Sequence, residues 1–263
     1  MISSMIMPVE QNAGPLRSLV QEPLILALQF LTRIPMPDIG IVKDEVVGRS
    51  LLFYPLVGLL IGSLLWLAQA LFNWLWPDLW GLQAALLLSL WCLLTGGLHL
   101  DGLADSADAW VGGFGSRDKT LALMKDPTCG PAAVMLLLLV LVIKYSAIEV
   151  LIAQNSLWLL VVPVVGRCYL LLLFLTTDYV RAGGLGSTLT EQMPRKCSVW
   201  LLLVCALLLL LAGSAGFAVL LLSLVCFYGL RRLMQKRLGG TTGDTAGALL
   251  ELVEVAALLA VLI

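Results

Sequence analysis

Three aspartates lie at a helical spacing in residues 96–110, whose sequence is GGLHLDGLADSADAW. Asp101, Asp105 and Asp108 are related by offsets of four and seven residues, which return to nearly the same face of an α-helix. Carboxylates gathered on one face repel each other, and near a membrane their charge is costlier still. Because a bound cation removes that cost, the spacing predicts a metal site. The alternative is that the three acids are simply solvated at a membrane edge.

The only histidine of the chain, His99, directly precedes these aspartates. It is a candidate metal ligand, general base or hydrogen-bonding group at the start of a helix. Counted as a helical position it faces away from the aspartates. We therefore favour a general base, or a residue that supports the ligands, over a direct ligand.

A second acidic and glycine-rich stretch lies near the end of the chain. Gly240 and Gly243 lead into Asp244, and Glu251 and Glu254 follow at offsets of seven and ten residues from it. Glycine-rich backbone that enters a helix N-terminus can bind phosphate. Two acidic clusters with such glycines predict metal-assisted chemistry on a phosphate ester or anhydride. The alternative for the two glutamates is that they are interfacial acids near the end of a span.

The composition sets the fold class. The chain has 263 residues, of which 60% are hydrophobic and 13% are charged, whereas an ordinary soluble domain carries about 25% charged residues. The apolar residues form long blocks, which predict an all-α integral membrane protein with about seven transmembrane helices. A short interfacial or re-entrant helix is expected at residues 24–31. We expect residues 1–23 to be a flexible leader and residues 24–263 to form a single polytopic membrane domain.

The loops between the predicted spans alternate in basic content, which fixes an orientation. By the positive-inside rule, the basic loops are cytoplasmic, and they include every acidic and glycine-rich stretch described above. The alternation requires the apolar block at 199–230 to be divided at residues 213–216. Within the spans, Lys144 and Glu149 either pair or reach towards the membrane surface, and Arg167 needs a partner. The six cysteines include no CxxC pair and are interpreted as reduced, mostly buried thiols.

Five motifs occur in an order typical of one family. The aspartate stretch is joined by FLTRIPMP at 30–37, FYPLVGLLIG at 53–62, MKDPTCGP at 124–131 and GGTTGDTAGALLE at 239–251. Together they resemble the cobalamin synthase family, also called adenosylcobinamide-GDP ribazoletransferases, from about Leu24 to the C-terminus. One departure is the Pro-Thr-Cys-Gly at 127–130, where the family often has Ser-Arg/Lys-x-Gly.

The resemblance implies an enzyme of the bacterial inner membrane. It would transfer the adenosylcobinamide-phosphate group from adenosylcobinamide-GDP to α-ribazole, or to α-ribazole 5′-phosphate, with Mg²⁺ as cofactor and GMP as leaving group. Apart from these substrates and membrane lipid, no nucleic acid partner is expected, and a homo-oligomer is left open.

Residue roles follow from the resemblance. The Mg²⁺ ligands are expected to be Asp101, Asp105, Asp108 and Asp244. The catalytic residues, one of which takes the proton of the attacking hydroxyl, are expected to be His99, Asp101 and Asp105. The substrate and phosphate contacts are expected to be Arg33, Arg117, Lys125, Asp126, Gly240 and Gly243.

Two other classes are kept as alternatives. A CDP-alcohol phosphotransferase also uses Mg²⁺ and an aspartate cluster led by Asp-Gly, but it places Ala-Arg soon afterwards, whereas Asp101-Gly102 is followed here by Leu103-Ala104-Asp105. A prenyltransferase is weaker still, because the chain has no NDxxD or DDxxD pair. A divalent-cation transporter, the non-enzyme alternative, would need acids near mid-span on several helices, whereas these acids are predicted at one membrane face.

Overall fold

The computed structural model describes residues 17–181, 183 and 185–263, and these residues are almost entirely helical. In chain order the helices are α1 (Glu22–Leu31), α2 (Asp44–Ser50), α3 (Tyr54–Leu75), α4 (Trp80–Thr95), α5 (Leu98–Gly112), α6 (Arg117–Leu123), α7 (Pro131–Ala153), α8 (Trp158–Thr176), α9 (Leu185–Glu191), α10 (Arg195–Leu211), α11 (Gly213–Leu238) and α12 (Gly243–Ala260). Among the described residues, the isolated β-bridge is a parallel one between Tyr179 and Thr241.

Four helical runs are long and apolar enough to cross a membrane, which takes about 20 residues. They are the continuous run Asp44–Leu75, which contains α2 and α3, and the helices α7, α8 and α11. Helices α4 and α5 qualify only together, and they are bent by 88° relative to each other. The prediction of an all-α membrane protein is confirmed. The count of about seven spans stays a prediction, because α10 has 17 residues and α12 carries three carboxylates.

The N-terminal helix forms where the sequence predicts it. The short helix expected at 24–31 corresponds to α1, which ends where Thr32 becomes extended and its hydroxyl donates to the Leu28 carbonyl. Of the predicted leader at 1–23, residues 1–16 lie outside the described part of the chain. The remainder is helical, with a π-helical turn at Arg17–Gln21 that runs into α1.

The apolar block at 199–230 is divided, as predicted. Helix α10 ends at Leu211, and α11 begins at Gly213, whose φ of +78° lies in the left-handed region. Glycine adopts that conformation without steric cost, so the chain reverses there between two antiparallel helices. The division is confirmed.

The core of the bundle lies between α3, α8 and α12. A Cβ atom on Gly58 of α3 would lie 2.5 Å from the Pro163 carbonyl oxygen of α8, so these two helices pack backbone against backbone. Helix α12 is enclosed along most of its length, with Leu249 and Val253 fully buried. Because α12 lies at the centre of the bundle, Asp244 in its first turn lies against α5.

Candidate functional site

The sharp bend between α4 and α5 delivers the aspartates to the site. Gly96 and Gly97 have φ values of +63° and +69°, a pair of left-handed residues that ends α4 and begins α5. The side chain of Arg33 lies so close to Gly96 that a Cβ atom there would overlap it. The N–H of Arg33 also donates to the Leu94 carbonyl at 2.8 Å, which fixes Arg33 beside the start of α5.

A cavity of about 470 Å³ opens beside the first half of α5. Asp101, Asp105 and Asp108 of α5 form one wall, and Arg33 and the loop at residues 127–129 also contribute to the lining. The helical spacing therefore does bring the three predicted aspartates to one surface. Its volume lies within the range of about 300–1,000 Å³ that is usual for small-molecule sites, so it suits a nucleotide.

Asp101 and Asp105 are the open carboxylates of this wall. Asp101 is exposed, and Asp105 is half-buried one turn further along α5. Burial, assisted by the nearby charges of Asp101 and Asp244, raises the pKa of Asp105 to about 6. The wall is therefore a place where negative charge is costly in the absence of a cation.

This raised pKa predicts a pH-dependent effect of Mg²⁺ on stability. Aspartate in an unfolded chain has a pKa of about 3.9, so between about pH 4 and pH 6 the folded protein retains a proton that the unfolded chain has lost. The free energy of unfolding of the metal-free protein should accordingly fall as pH rises through that window. We expect Mg²⁺ to raise the unfolding temperature clearly at about pH 7.5 and little at about pH 5, where Asp105 is protonated.

Thermal unfolding of the purified protein at the two pH values, with and without Mg²⁺, measures this effect. Asp105→Asn should reduce the difference between the two pH values. An equal response to Mg²⁺ at both pH values would argue against Asp105 as a cation-binding group.

Asp108 has a second role that the sequence did not indicate. Its two carboxylate oxygens accept hydrogen bonds from the N–H groups of Gly130 at 2.6 Å and Ala133 at 3.0 Å. These groups belong to the N-terminus of α7, where backbone donors have no partner within the helix. Asp108 therefore caps α7 from another helix, and only its remaining lone pairs face the cavity.

We predict that Asp108→Ala destabilises the fold whereas Asp101→Ala does not. Loss of a helix cap costs roughly 1 kcal/mol of the free energy of unfolding, while the Asp101 carboxylate is exposed at the cavity wall. Chemical denaturation of both variants without divalent cation makes the comparison. A similar loss of stability in both, or in neither, would contradict the capping role.

Asp244 reaches the same region from α12, as predicted for a partner of the aspartate stretch. Gly102 makes this possible, because a Cβ atom there would lie 2.7 Å from the Asp244 carbonyl oxygen. Arg181 Nη2 lies 2.9 Å from Asp244 Oδ2. Burial raises the pKa of Asp244, and the positive charge of Arg181 opposes that shift. Asp244 thus lies beside the cavity wall, paired with an arginine, rather than in the cavity lining.

The donor set suits Mg²⁺ but does not enclose it. Within the described part of the chain, no three His, Cys, Asp or Glu side chains converge as a ready-made metal cage. Mg²⁺ is usually held by one or two carboxylates, with waters and substrate phosphates as its other ligands. Asp101 and Asp105, with Asp244 close by, fit such a partial site. Burial and the neighbouring carboxylates raise the pKa of Asp105, and a cation would remove the cost of its negative charge.

Three predicted phosphate contacts lie elsewhere. Arg117 Nε donates to the Leu238 carbonyl at 2.7 Å, at the C-terminus of α11. Asp126 accepts from both the N–H and the hydroxyl of Thr128, and these bonds lower its pKa. Lys125 is exposed on the same loop, outside the cavity lining. The loop itself contributes Thr128 and its neighbours to the cavity lining, whereas the charged residues of the motif do not line it.

The glycines before α12 pack against protein rather than forming an open cradle. Gly240 lies against the Asp178 carbonyl, where a Cβ atom would overlap it, and Gly243 begins α12. The Thr242 hydroxyl caps that helix by accepting from the N–H of Thr245 at 3.2 Å. In this arrangement Gly240 and Gly243 hold the chain that positions Asp244.

His99 and the two late glutamates lie in the interior of the bundle. His99 is 4% exposed, and both ring nitrogens lack a hydrogen-bond partner among the described residues. It faces the interior, away from the aspartates as its helical position predicted. Glu251 and Glu254 form neither a phosphate site nor a set of interfacial acids, because both are buried and paired with Lys144. Lys144 therefore neither pairs with Glu149 nor reaches the membrane surface, as the sequence had suggested. Arg167 has the partner it needed in Glu254.

Sequence reasoning missed Arg181 and the uncharged loop residues at the cavity. Arg181 was used only as a basic residue that indicates topology, although it is the partner of Asp244. Arg181 follows Asp178 and Val180, whose backbone groups bond to Thr241 in the glycine stretch. This signal becomes visible only once the Tyr179–Thr241 bridge is known.

The chain is similar to known proteins along nearly its whole length. The sequence profile of a family described as cobalamin-5-phosphate synthase matches residues 23–262. An adenosylcobinamide-GDP ribazoletransferase from Pseudomonas entomophila (strain L48) is 56% identical over 238 residues, covering 90% of this chain and 96% of the relative. The enzyme of the same name from Pseudomonas putida strain KT2440 is 57% identical over 238 residues, covering 90% and 97%. No solved structure matches the chain significantly.

Proposed function

Because the chain belongs to the cobalamin-5-phosphate synthase family, we propose that it joins adenosylcobinamide-GDP to α-ribazole, or to α-ribazole 5′-phosphate, and releases GMP. The chain is an enzyme of that family. The two acceptors correspond to the two names under which the family and its relatives are known. We further propose that the enzyme lies in the bacterial inner membrane with the cavity at the cytoplasmic face, as the distribution of basic loops predicts.

The observation that carries the proposal is the cavity at α5. Its lining holds two open carboxylates and Arg33, with Asp244 of α12 near the carboxylates. That combination suits a pyrophosphate, since the guanidinium binds phosphate oxygens directly and the carboxylates bind them through a shared cation. The cavity has the size of a nucleotide site, so in this proposal GDP occupies it and the corrinoid lies outside.

The proposed reaction is a substitution at phosphorus. A ribose hydroxyl of the acceptor attacks the phosphorus attached to cobinamide, the new P–O bond forms, and the bond to the bridging oxygen of the pyrophosphate breaks. GMP departs with that oxygen. When bound, Mg²⁺ would neutralise the charge that develops on the leaving phosphate. Asp101 and Asp105 are our assigned holders of this ion, with Asp244 close by, and Arg33 would bind the pyrophosphate within the same cavity.

A proton must leave the attacking hydroxyl. Asp105 is our choice of acceptor, because its carboxylate lines the cavity and has a second oxygen that is free to take the proton when the first binds the ion. His99 faces the interior of the bundle and does not line the cavity, so the proposal gives it no proton transfer. Asp108 is assigned to support the wall through its cap on α7.

The test is an assay of both products with purified protein in phospholipid vesicles. We expect GMP and a cobalamin product in equal amounts when adenosylcobinamide-GDP, α-ribazole and Mg²⁺ are all present. Parallel reactions with α-ribazole 5′-phosphate identify the preferred acceptor, and reactions with CDP-diacylglycerol test the phospholipid alternative. GMP release that does not require an acceptor, or CMP release from the lipid nucleotide, would overturn the proposal.

A further inference from the structure

Four charged side chains form a buried ion network beneath the cavity. Lys144 Nζ of α7 donates to Glu251 Oε2 and to Glu254 Oε2 of α12, at 2.6 Å in each case. Arg167 of α8 donates through Nη1 to Glu254 Oε1. All four residues are at most 4% exposed. With two glutamates against one lysine and one arginine, the formal charges balance.

Neighbouring residues are shaped to fit this network. Gly166 leaves the room that Glu254 occupies, since a Cβ atom there would lie 2.9 Å from the Glu254 Cγ. Lys144 Nζ also lies 4.7 Å from the centre of the ring of Trp91, a buried residue of α4. The network therefore joins α12 to α4, α7 and α8.

The stability of the fold alone does not explain why four charged residues are buried here. Moving ions out of water is costly, and a buried ion pair is often no more stabilising than well-packed apolar residues of similar volume. A buried network does fix the position and rotation of α12, because its two glutamates must lie against Lys144 of α7 and Arg167 of α8. Rotation or sliding of α12 would leave a buried charge without its partner, which is strongly destabilising.

The position of α12 in turn decides the position of Asp244. Glu251 follows Asp244 by seven residues, which is nearly two full turns, so it lies on the same side of α12 about 10 Å further along the axis. At the contact with α5, Gly102 lies against the Asp244 backbone. Gly247 lies against the His99 backbone, where an added Cβ atom would be 3.2 Å from the His99 Cα. A shift of α12 is therefore transmitted directly to the cavity wall.

We propose that the ion network of Lys144, Glu251, Glu254 and Arg167 is a positioning device that sets α12 so that Asp244 faces Asp101 and Asp105. Its members are positioning residues, because they act on the site through α12. The inference rests on the proposed function in one respect, namely that the cavity wall binds a divalent cation.

The main test replaces one ion pair by apolar residues. Lys144→Met combined with Glu251→Met keeps the remaining Glu254–Arg167 pair balanced, so we expect an unfolding temperature close to that of the wild type. Mn²⁺ alone is the probe, and the loss of its free electron paramagnetic resonance signal measures binding without substrate. We expect a dissociation constant raised about tenfold, as is common when residues behind a metal site are changed. In the GMP assay, kcat should fall while KM for α-ribazole stays unchanged.

Two further variants keep the test independent of a single folding outcome. Gly166→Ala displaces Glu254 without removing a charge and should weaken Mn²⁺ binding in the same direction. Lys144→Arg retains the charge and several donors and should largely preserve Mn²⁺ binding. Tyr169→Phe is the matched control on α8, because it removes a buried hydroxyl that donates to the Leu220 carbonyl at 3.0 Å outside the network.

The outcomes separate a positioning role from a structural one. If the double variant and Gly166→Ala bind Mn²⁺ as tightly as Tyr169→Phe, the network serves stability only and the inference is wrong. If the wild type binds Mn²⁺ but releases no GMP, the proposed function fails while the comparison of Mn²⁺ affinities still decides the inference.

Discussion

Asp101→Ala should lower the rate of GMP release by about 100-fold or more, because it removes an open carboxylate from the wall that would hold the cation. Asp101 is exposed to the cavity and lies one turn from Asp105 on the same helix. Loss of a charge-neutralising group is felt chiefly in the transition state of phosphoryl transfer. The measurement is the initial rate of GMP release at several Mg²⁺ concentrations, and the deficit should shrink only partly as Mg²⁺ rises.

Asp118→Ala is the matched control for this prediction. Asp118 lies on α6 with its side chain 94% exposed, and its nearest cation is Arg117 at 3.8 Å. It is not part of the cavity lining, so its removal should leave the rate near that of the wild type. A normally folded Asp101→Ala protein with unchanged turnover would refute the assignment of the aspartate wall to catalysis.

Gly102→Ala should impair both stability and activity, because α5 and α12 are in backbone contact at this residue. The added methyl group would meet the Asp244 carbonyl oxygen at 2.7 Å and its Cα at 3.0 Å. Backbone atoms cannot rotate away as a flexible side chain can, so the two helices must separate. Overpacking of this kind costs about 1–3 kcal/mol of the free energy of unfolding. A displacement of about 1 Å at a catalytic group can cost on the order of 100-fold in rate.

Gly229→Ala supplies the comparison for Gly102→Ala. Gly229 lies within α11, and a Cβ atom there would have no described atom within 4 Å outside its own helix neighbourhood. We expect this control to retain full activity and to be at least as stable as the wild type, since alanine is the better helix former. Measurements of unfolding temperature and GMP release on both variants make the test. Full activity in Gly102→Ala would show that close contact between α5 and α12 is not required.

The helical period of the aspartates was sufficient to predict one wall of the cavity. Offsets of four and seven residues bring Asp101, Asp105 and Asp108 to the same surface whatever the surroundings. Spacing could not separate their roles, however. Asp108 bonds to the N–H groups of Gly130 and Ala133, which reach it only because the start of α7 folds back onto α5.

At the end of the chain, helical spacing did not predict the surroundings of the carboxylates. Glu251 and Glu254 follow Asp244 at helical offsets, yet they lie deeper in the bundle. There they form salt bridges with Lys144 of α7 and Arg167 of α8. The partners are about a hundred residues away in sequence, at distances of 107 for Lys144 and Glu251 and 87 for Arg167 and Glu254. Periodicity states which residues share a face, but only tertiary packing determines what that face meets.

Glycines that interrupt the apolar blocks predicted changes of chain direction more reliably than charged residues predicted their partners. The glycine-rich point near residue 213 predicted the division between α10 and α11, because a reversal there needs a residue at positive φ. The consecutive glycines at 96 and 97 mark an equally sharp change of direction, and the structure shows that this bend starts the helix of the aspartates. Glycine position carries this information because the backbone itself demands it.

A crystal structure of the protein with Mn²⁺ and GDP would test the central claim most directly. Anomalous scattering locates the metal without assumptions about its ligands. The account predicts a Mn²⁺ peak beside Asp101, Asp105 and Asp244, with the GDP phosphates in the same cavity and within reach of Arg33. A peak among Glu251, Glu254 and Lys144, or GDP bound away from the cavity at α5, would contradict it.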